Sequence, residues 1–232
     1  MVRKTFLYRL YPSRTQARLL DATLETCRFF YNDTFRNSNN MLRFASRQVA
    51  ANYAREFQQL FDGRFGTAKS SATPYPRVQL GMSHVEVYFS PEDGVAKYVL
   101  QRLAAAKRSI HFMAFSYTSS AIADAMVAQA QAGLPVRGVF ESQNAGGTGS
   151  AFSRLRQGGA NVLEDGNCYI LHHKVIIIDE RTVITGSHNF TNSAERDNDE
   201  NLVIVDDPNL ARAYLDEFDR VYAQAQAPTR CR

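Results

Sequence analysis

The stretch from Leu171 to Phe190, LHHKVIIIDERTVITGSHNF, constrains the fold of this chain more than any other. Two runs of largely β-branched residues, VIII and TVIT, flank a short polar turn, and each run is strand-sized. Side chains alternate across a strand with period two, so His172 and Lys174 share one face while His173 takes the other. Ser187 and Asn189 share a face on the following strand by the same rule. Polar groups placed among core strands must be hydrogen-bonded or put to use. The stretch therefore predicts paired core strands that gather imidazole, ammonium, hydroxyl and amide groups around something small, polar and anionic.

The surrounding pattern sets the fold class. From Val85 onward, strand-like runs (HVEVYF, SIHFMAF, PVRGVFE, NVLED, ENLVIV) alternate with helical ones (SPEDGVAKYVLQRLAAAKR, SSAIADAMVAQAQAG, SAFSRLRQGG, DPNLARAYLDEFDRVYAQA). In the first helix Ser90 is expected as the cap, Pro91 as the first helical residue and Asp93 as the partner in a capping box. In the last, Leu210, Tyr214, Phe218 and Val221 recur at helical spacing. The expected architecture is α/β, a mixed β-sheet flanked by helices, with a small N-terminal helical appendage. A hydrophobic content of 44% with 22% charged residues suits such a domain and argues against a disordered chain. No apolar run approaches the roughly 20 residues of a spanning helix, and the N-terminus lacks a signal-peptide pattern, so a cytoplasmic protein is expected. Cys27, Cys168 and Cys231 show no paired spacing and read as reduced thiols. The glycine-rich SQNAGGTGS lacks the ending of a phosphate-binding P-loop and reads as a mobile loop at the rim of the site.

His172, Lys174, Asp179, Gly186, Ser187 and Asn189 follow the order HxK, four residues, D, six residues, GSxN. This resembles the HKD signature of the phospholipase D superfamily, and the resemblance runs from Val85 to about Ala225 as one HKD module. It implies a metal-independent phosphodiesterase without cofactor, in which His172 attacks phosphorus to form a phosphohistidine. Lys174 and Asn189 would bind non-bridging phosphate oxygens and Ser187 would add a hydrogen bond, stabilising the charge of the transferring group. Glu200 would orient the histidine through its other ring nitrogen. Asp179 completes the catalytic motif but lies on the opposite strand face from His172, so its expected part is to hold the turn. His84, His111 and His188 form no metal-ligand spacing; His188, inside GSxN, is the one that could touch substrate.

An internal repeat appears at an offset of 161 residues: Asn37, Asn40, Ala50, Tyr53, Glu56 and Phe57 fall on Asn198, Asn201, Ala211, Tyr214, Glu217 and Phe218, with Asn39 opposite Glu200. Residues 36–66 thus read as the tail of an earlier HKD copy that has lost its HxK, residues 67–82 as a linker, and 83–226 as the catalytic domain. The resemblance implies two histidines per site, so a homodimer with the site across its interface is expected.

The front of the chain has a different character. Residues 1–81 carry 13 Lys and Arg against 5 Asp and Glu, and the remainder 14 against 18. RKTFLYRLYPSRTQARLLDATLETCRFFYN resembles the N-terminal segment of OrfB-type insertion-sequence transposases, which implies a transposase-like unit over residues 1–35. It implies a nucleic-acid contact through Arg3, Lys4, Arg9, Arg14 or Arg18. The leading expectation is an endonuclease on DNA or RNA. A phospholipase D acting on phosphatidylcholine-type phospholipids is the alternative, and an inactive nucleic-acid-binding relic the third reading.

Overall fold

The computed structural model describes residues 37–228. The transposase-like segment and its five basic residues lie outside them. Residues from Ser38 onward form one compact unit.

Its frame is an eight-stranded sheet in the order β1-β2-β8-β7-β6-β3-β4-β5. The strands are β1 Arg77–Leu80, β2 Ser83–Ser90, β3 Ile110–Ala114, β4 Val136–Phe140, β5 Asn161–Glu164, β6 Lys174–Ile178, β7 Thr182–Gly186 and β8 Glu200–Asp206. β3, β4 and β5 run parallel, whereas β6 joins β3 antiparallel and β7, β8, β2 and β1 continue antiparallel. Helices α1 Arg47–Phe61, α2 Val95–Ala104, α3 Ser120–Gln131, α4 Ser142–Ala145, α5 Phe152–Gln157, α6 Asn192–Arg196 and α7 Pro208–Gln226 flank it. This is the expected mixed α/β architecture.

The alternation of β6 and β7 divides the core. Ile176, Ile178, Ile184, Leu202 and Ile204 face α2, α3 and α5, while Val175, Ile177 and Val183 face Leu215, Phe218 and Val221 of α7. Every residue of β6 is buried, because helices cover both faces. On the α7 side, α1 lies over the neighbouring strands, where Val49 and Tyr53 pack with Val85, Phe89, Val203 and Val205. Leu210 of α7 touches both clusters and ties the two helices together.

Three expectations change. Helix α2 begins at Val95, with Gly94 as its cap at φ 61°, rather than at Ser90. Ser90 Oγ instead donates to the Ala194 carbonyl, and the Asp93 carboxylate is engaged by Ser71, Thr73 and the Phe89 N–H, so neither is free to cap. The stretch read as a linker is packed: β1 forms a hairpin with β2, and Lys69 is buried with Nζ bonded to Glu56, Glu92 and Asp199. A lysine buried without such carboxylates would carry a large desolvation cost, which three partners offset. Finally, Cys168 is disulfide-bonded, a pairing that spacing in sequence could not reveal.

Candidate active site

A cavity of about 800 Å3 opens where the N-terminal ends of β6 and β8 meet the C-terminal end of β7. His172 stands one residue short of the ladder of β6 and is fixed by its backbone. Its N–H donates to the Ser38 carbonyl at 2.8 Å, and Ser38 N–H donates to Ile170, so residues 38 and 171 form a parallel bridge. The buried Glu141 carboxylate, at the end of β4, accepts the N–H of Leu171. The imidazole meets the edge of Phe115 with centroids 4.8 Å apart.

Lys174, the first residue of β6, is buried and turns its Nζ back to within 3.2 Å of His172 Nε2 and 3.1 Å of the His172 carbonyl. Burial lowers the Lys174 ammonium to about 8, with the charge of Glu200 pulling the other way. Burial, followed by the Lys174 and His173 charges, holds His172 below its ordinary value, and Glu141 opposes this. A neutral imidazole thus stands beside a cation at neutral pH, the pairing that a nucleophile for an anionic centre requires.

The opposite wall comes from the end of β7. Gly186 is obligatory there, since a Cβ would sit 2.2 Å from the Asn201 carbonyl oxygen. That close approach lets Ser187 Oγ accept from the N–H and side-chain amide of Asn201 at 3.0 and 3.1 Å, leaving its own hydrogen for the cavity. Asn189 also lines the cavity, and its Oδ1 is buried without a partner. A buried polar atom of this kind calls for an absent hydrogen-bonding group. His172, Lys174, Ser187 and Asn189, the set expected from the sequence, are therefore brought to one cavity.

Glu200 and Asp179 take other places. The described hydrogen bond of Glu200 is with Asn198 at 3.2 Å, and Nδ1 of His172 is faced by Asn39 Nδ2 at 3.4 Å instead. Asp179, at φ 56°, accepts from the backbone N–H groups of Lys107, Arg108 and Ser109 and so locks the β6 to β7 turn against the start of β3. It touches no cavity residue, and its part is structural. His188 is buried away from the cavity with Nε2 3.4 Å from Glu195, while His84 is exposed and His111 packs edge-on against Phe218. His173, on the other strand face, is buried with Nδ1 3.0 Å from Asn40 Oδ1 and Nε2 3.3 Å from Glu217.

Residues 99–222, just over half of the chain, match the family model described as "Cardiolipin synthase, PLD-like domain". The chain belongs to this phospholipase D-like family. Phosphodiester hydrolysis is accordingly its class of reaction. Among relatives, the phospholipase D of Rickettsia prowazekii is 34% identical over 66% of this chain and 75% of its own length. The human mitochondrial cardiolipin hydrolase is 35% identical over 54% of this chain and 50% of its own. Among solved structures, the phospholipase D family member Nuc from Salmonella typhimurium superposes with a TM-score of 0.58 at 36% identity, covering 61% of this chain and 95% of Nuc. A helix-turn-helix domain model of the OrfB type matches residues 1–42, in line with the transposase-like front.

Sequence reasoning missed the wall that the family motif does not describe. Asn39, Asn40 and Tyr53 line the cavity from the segment before β1. Asn40 Nδ2 donates to Tyr214 Oη at 2.9 Å and to Thr185 Oγ1 at 3.2 Å, and Tyr53 Oη donates to Asn201 Oδ1 at 3.2 Å. The signal was available: the 161-residue offset that aligns Asn40 with Asn201 and Tyr53 with Tyr214 turns each of these Asn–Tyr pairs into the other.

Proposed function

We propose that this chain is an endonuclease that cleaves DNA or RNA phosphodiesters through a phosphohistidine on His172. Convergence of His172, Lys174, Ser187 and Asn189 on one cavity carries the reading. A neutral Nε2 attacks phosphorus, Lys174 and Asn189 bear the non-bridging oxygens, and the Ser187 hydroxyl adds a donor as charge builds. Support for nucleic acid comes from the basic front of the chain, with Arg3, Lys4, Arg9, Arg14 and Arg18 as phosphate contacts. No metal or other cofactor enters this scheme.

A second reading, hydrolysis of phospholipids, has one specific observation behind it. Phe57 and Phe61 stack on α1 and, with Phe65, are exposed, and the same helix carries Ala50 and Tyr53 into the cavity wall. Exposed aromatic side chains beside a phosphate site suit a lipid surface. Incubating the purified protein in EDTA with end-labelled single-stranded and duplex DNA, and separately with phosphatidylcholine vesicles, decides between the two. Cleavage of DNA alone supports the nuclease reading and release of headgroup alone the lipid one. Neither product identifies an inactive relic.

The second histidine, which protonates the leaving oxygen, is proposed to come from a second copy of the chain. The interchange of the two Asn–Tyr pairs puts Asn40 and Tyr53 where a partner's Asn201 and Tyr214 would lie about a two-fold axis. Homodimerisation on that axis therefore requires the segment of Ser38 to Phe61 to swing away, and light scattering that finds only monomer while hydrolysis persists contradicts it. Among the described residues no helix is long and apolar enough to cross a membrane. A cytoplasmic location remains the proposal, against which the Cys168 disulfide stands as a feature of oxidising compartments.

A further inference from the structure

The ring of His172 has two nitrogens, and both meet nitrogen atoms. Nε2 lies 3.2 Å from Lys174 Nζ, and Nδ1 lies 3.4 Å from Asn39 Nδ2. The orientation of the Asn39 amide is fixed by its other end, because Oδ1 accepts the N–H of Asn40 at 2.9 Å. Its NH2 group is what it offers to the imidazole. A neutral imidazole carries one N–H and one lone pair. An Nδ1 that accepts from Asn39 places the hydrogen on Nε2, where it faces the lysine ammonium and leaves no lone pair for attack on phosphorus. The attacking form has its hydrogen on Nδ1 and needs an acceptor there.

Asn39 is held in place by more than this contact. Ser38 is bridged to Leu171 through backbone hydrogen bonds, and Asn40 is tied to Thr185 and Tyr214. At the 161-residue offset the counterpart of Asn39 is Glu200, whose ionised carboxylate can only accept. The first half of the repeat thus presents an amide donor to a ring nitrogen at a position where the second half carries an acceptor.

We propose that Asn39 is a positioning residue for His172, which holds the imidazole with its hydrogen on Nε2 and thereby damps its nucleophilicity. The chain keeps the phosphate-binding groups in place while its nucleophile spends most of its time in the wrong tautomer. Substrate binding is untouched by this restraint, and the attack step is slowed. The restraint on Nδ1 is a property of the contact itself; its effect on rate rests on His172 being the nucleophile, as proposed above.

The test is the Asn39→Asp variant, whose side chain has nearly the same shape but only acceptors. Long-range 1H–15N spectra of 15N-histidine-labelled full-length protein, with His172 assigned by difference from His172→Gln, report which nitrogen carries the hydrogen. The expected result is an Nε2–H imidazole in the natural chain and an Nδ1–H imidazole in Asn39→Asp, with kcat rising about tenfold, KM little changed and the acidic limb of the pH profile moved upward. Asn39→Ala, which removes donor and acceptor alike, should relax the tautomer to a mixture. A tautomer switch without a gain in hydrolysis upholds the contact and contradicts His172 as nucleophile. An Nδ1–H imidazole already present in the natural chain, or one unchanged in Asn39→Asp, overturns the proposal.

Discussion

Lys174 Nζ lies 3.2 Å from Nε2 of His172, so the cation that would neutralise a phosphate also sets the protonation of its nucleophile. Each depresses the other, and burial depresses both. Activity should accordingly persist well below neutrality on the His172 side and fall above pH 8, where Lys174 loses the proton that binds phosphate. A rate profile measured from pH 5 to 10 checks this. Lys174→Arg, which stays charged, should push the alkaline limb upward even as the maximal rate drops.

The same shift carries a stability consequence of fixed sign. The unfolded lysine holds its proton to about 10.4, whereas the folded one releases it near 8. Between these values the unfolded state binds more protons, so the Lys174 contribution to stability rises with pH through that window. Denaturant unfolding of Lys174→Met should lack this rise relative to the natural chain.

Glu217 behaves in the opposite sense. Burial pushes its carboxyl up, but hydrogen bonds from Arg220 and His173 more than offset this and bring it to about 2. Its stabilisation is complete above the ordinary carboxylate range and is lost as pH falls toward 2. Glu217→Gln should cost about 2 kcal/mol at pH 7, since it leaves buried donors with a weaker acceptor. The loss should shrink in urea titrations at pH 3.

Asp179 gives the family motif its last letter, yet its oxygens hold three backbone N–H groups at the β6 to β7 turn. Asp179→Ala should lower the unfolding free energy by about 2 kcal/mol. The kcat of the folded fraction should remain near that of the natural chain. A collapse of kcat with unchanged stability would return Asp179 to the catalytic set.

Gly186→Ala tests the wall on the other side. A methyl group 2.2 Å from the Asn201 carbonyl forces β8 away from β7 and carries Ser187 and Asn189 with it. About 3 kcal/mol of destabilisation is expected, together with a raised KM, read from thermal unfolding and steady-state kinetics.

Much of this was legible in the sequence because strands buried on both faces must be apolar, which makes any polar residue among them conspicuous. VIII and TVIT marked β6 and β7, and the period of two placed His172 with Lys174 and apart from His173. The misassignments share one physical cause: a side chain can satisfy only the partner that tertiary structure brings to it. Ser90 and Asp93 have capping chemistry but are claimed by Ala194, Ser71 and Thr73. Glu200 had the right chemistry to orient His172, but Asn39 reaches the ring. Residues 67–82 looked like a linker by composition, which says nothing of a strand pairing or of a lysine shared among three carboxylates.

The central claim is that His172 becomes covalently phosphorylated during turnover. Acid-free quenching of the protein with a phosphodiester substrate, followed by peptide mass spectrometry, tests it most directly. The account predicts a substrate-derived phosphoryl adduct on the peptide containing His172, stable to alkali, labile to acid and absent from His172→Ala. Hydrolysis that proceeds with no adduct at His172, or that survives in His172→Ala, would contradict it.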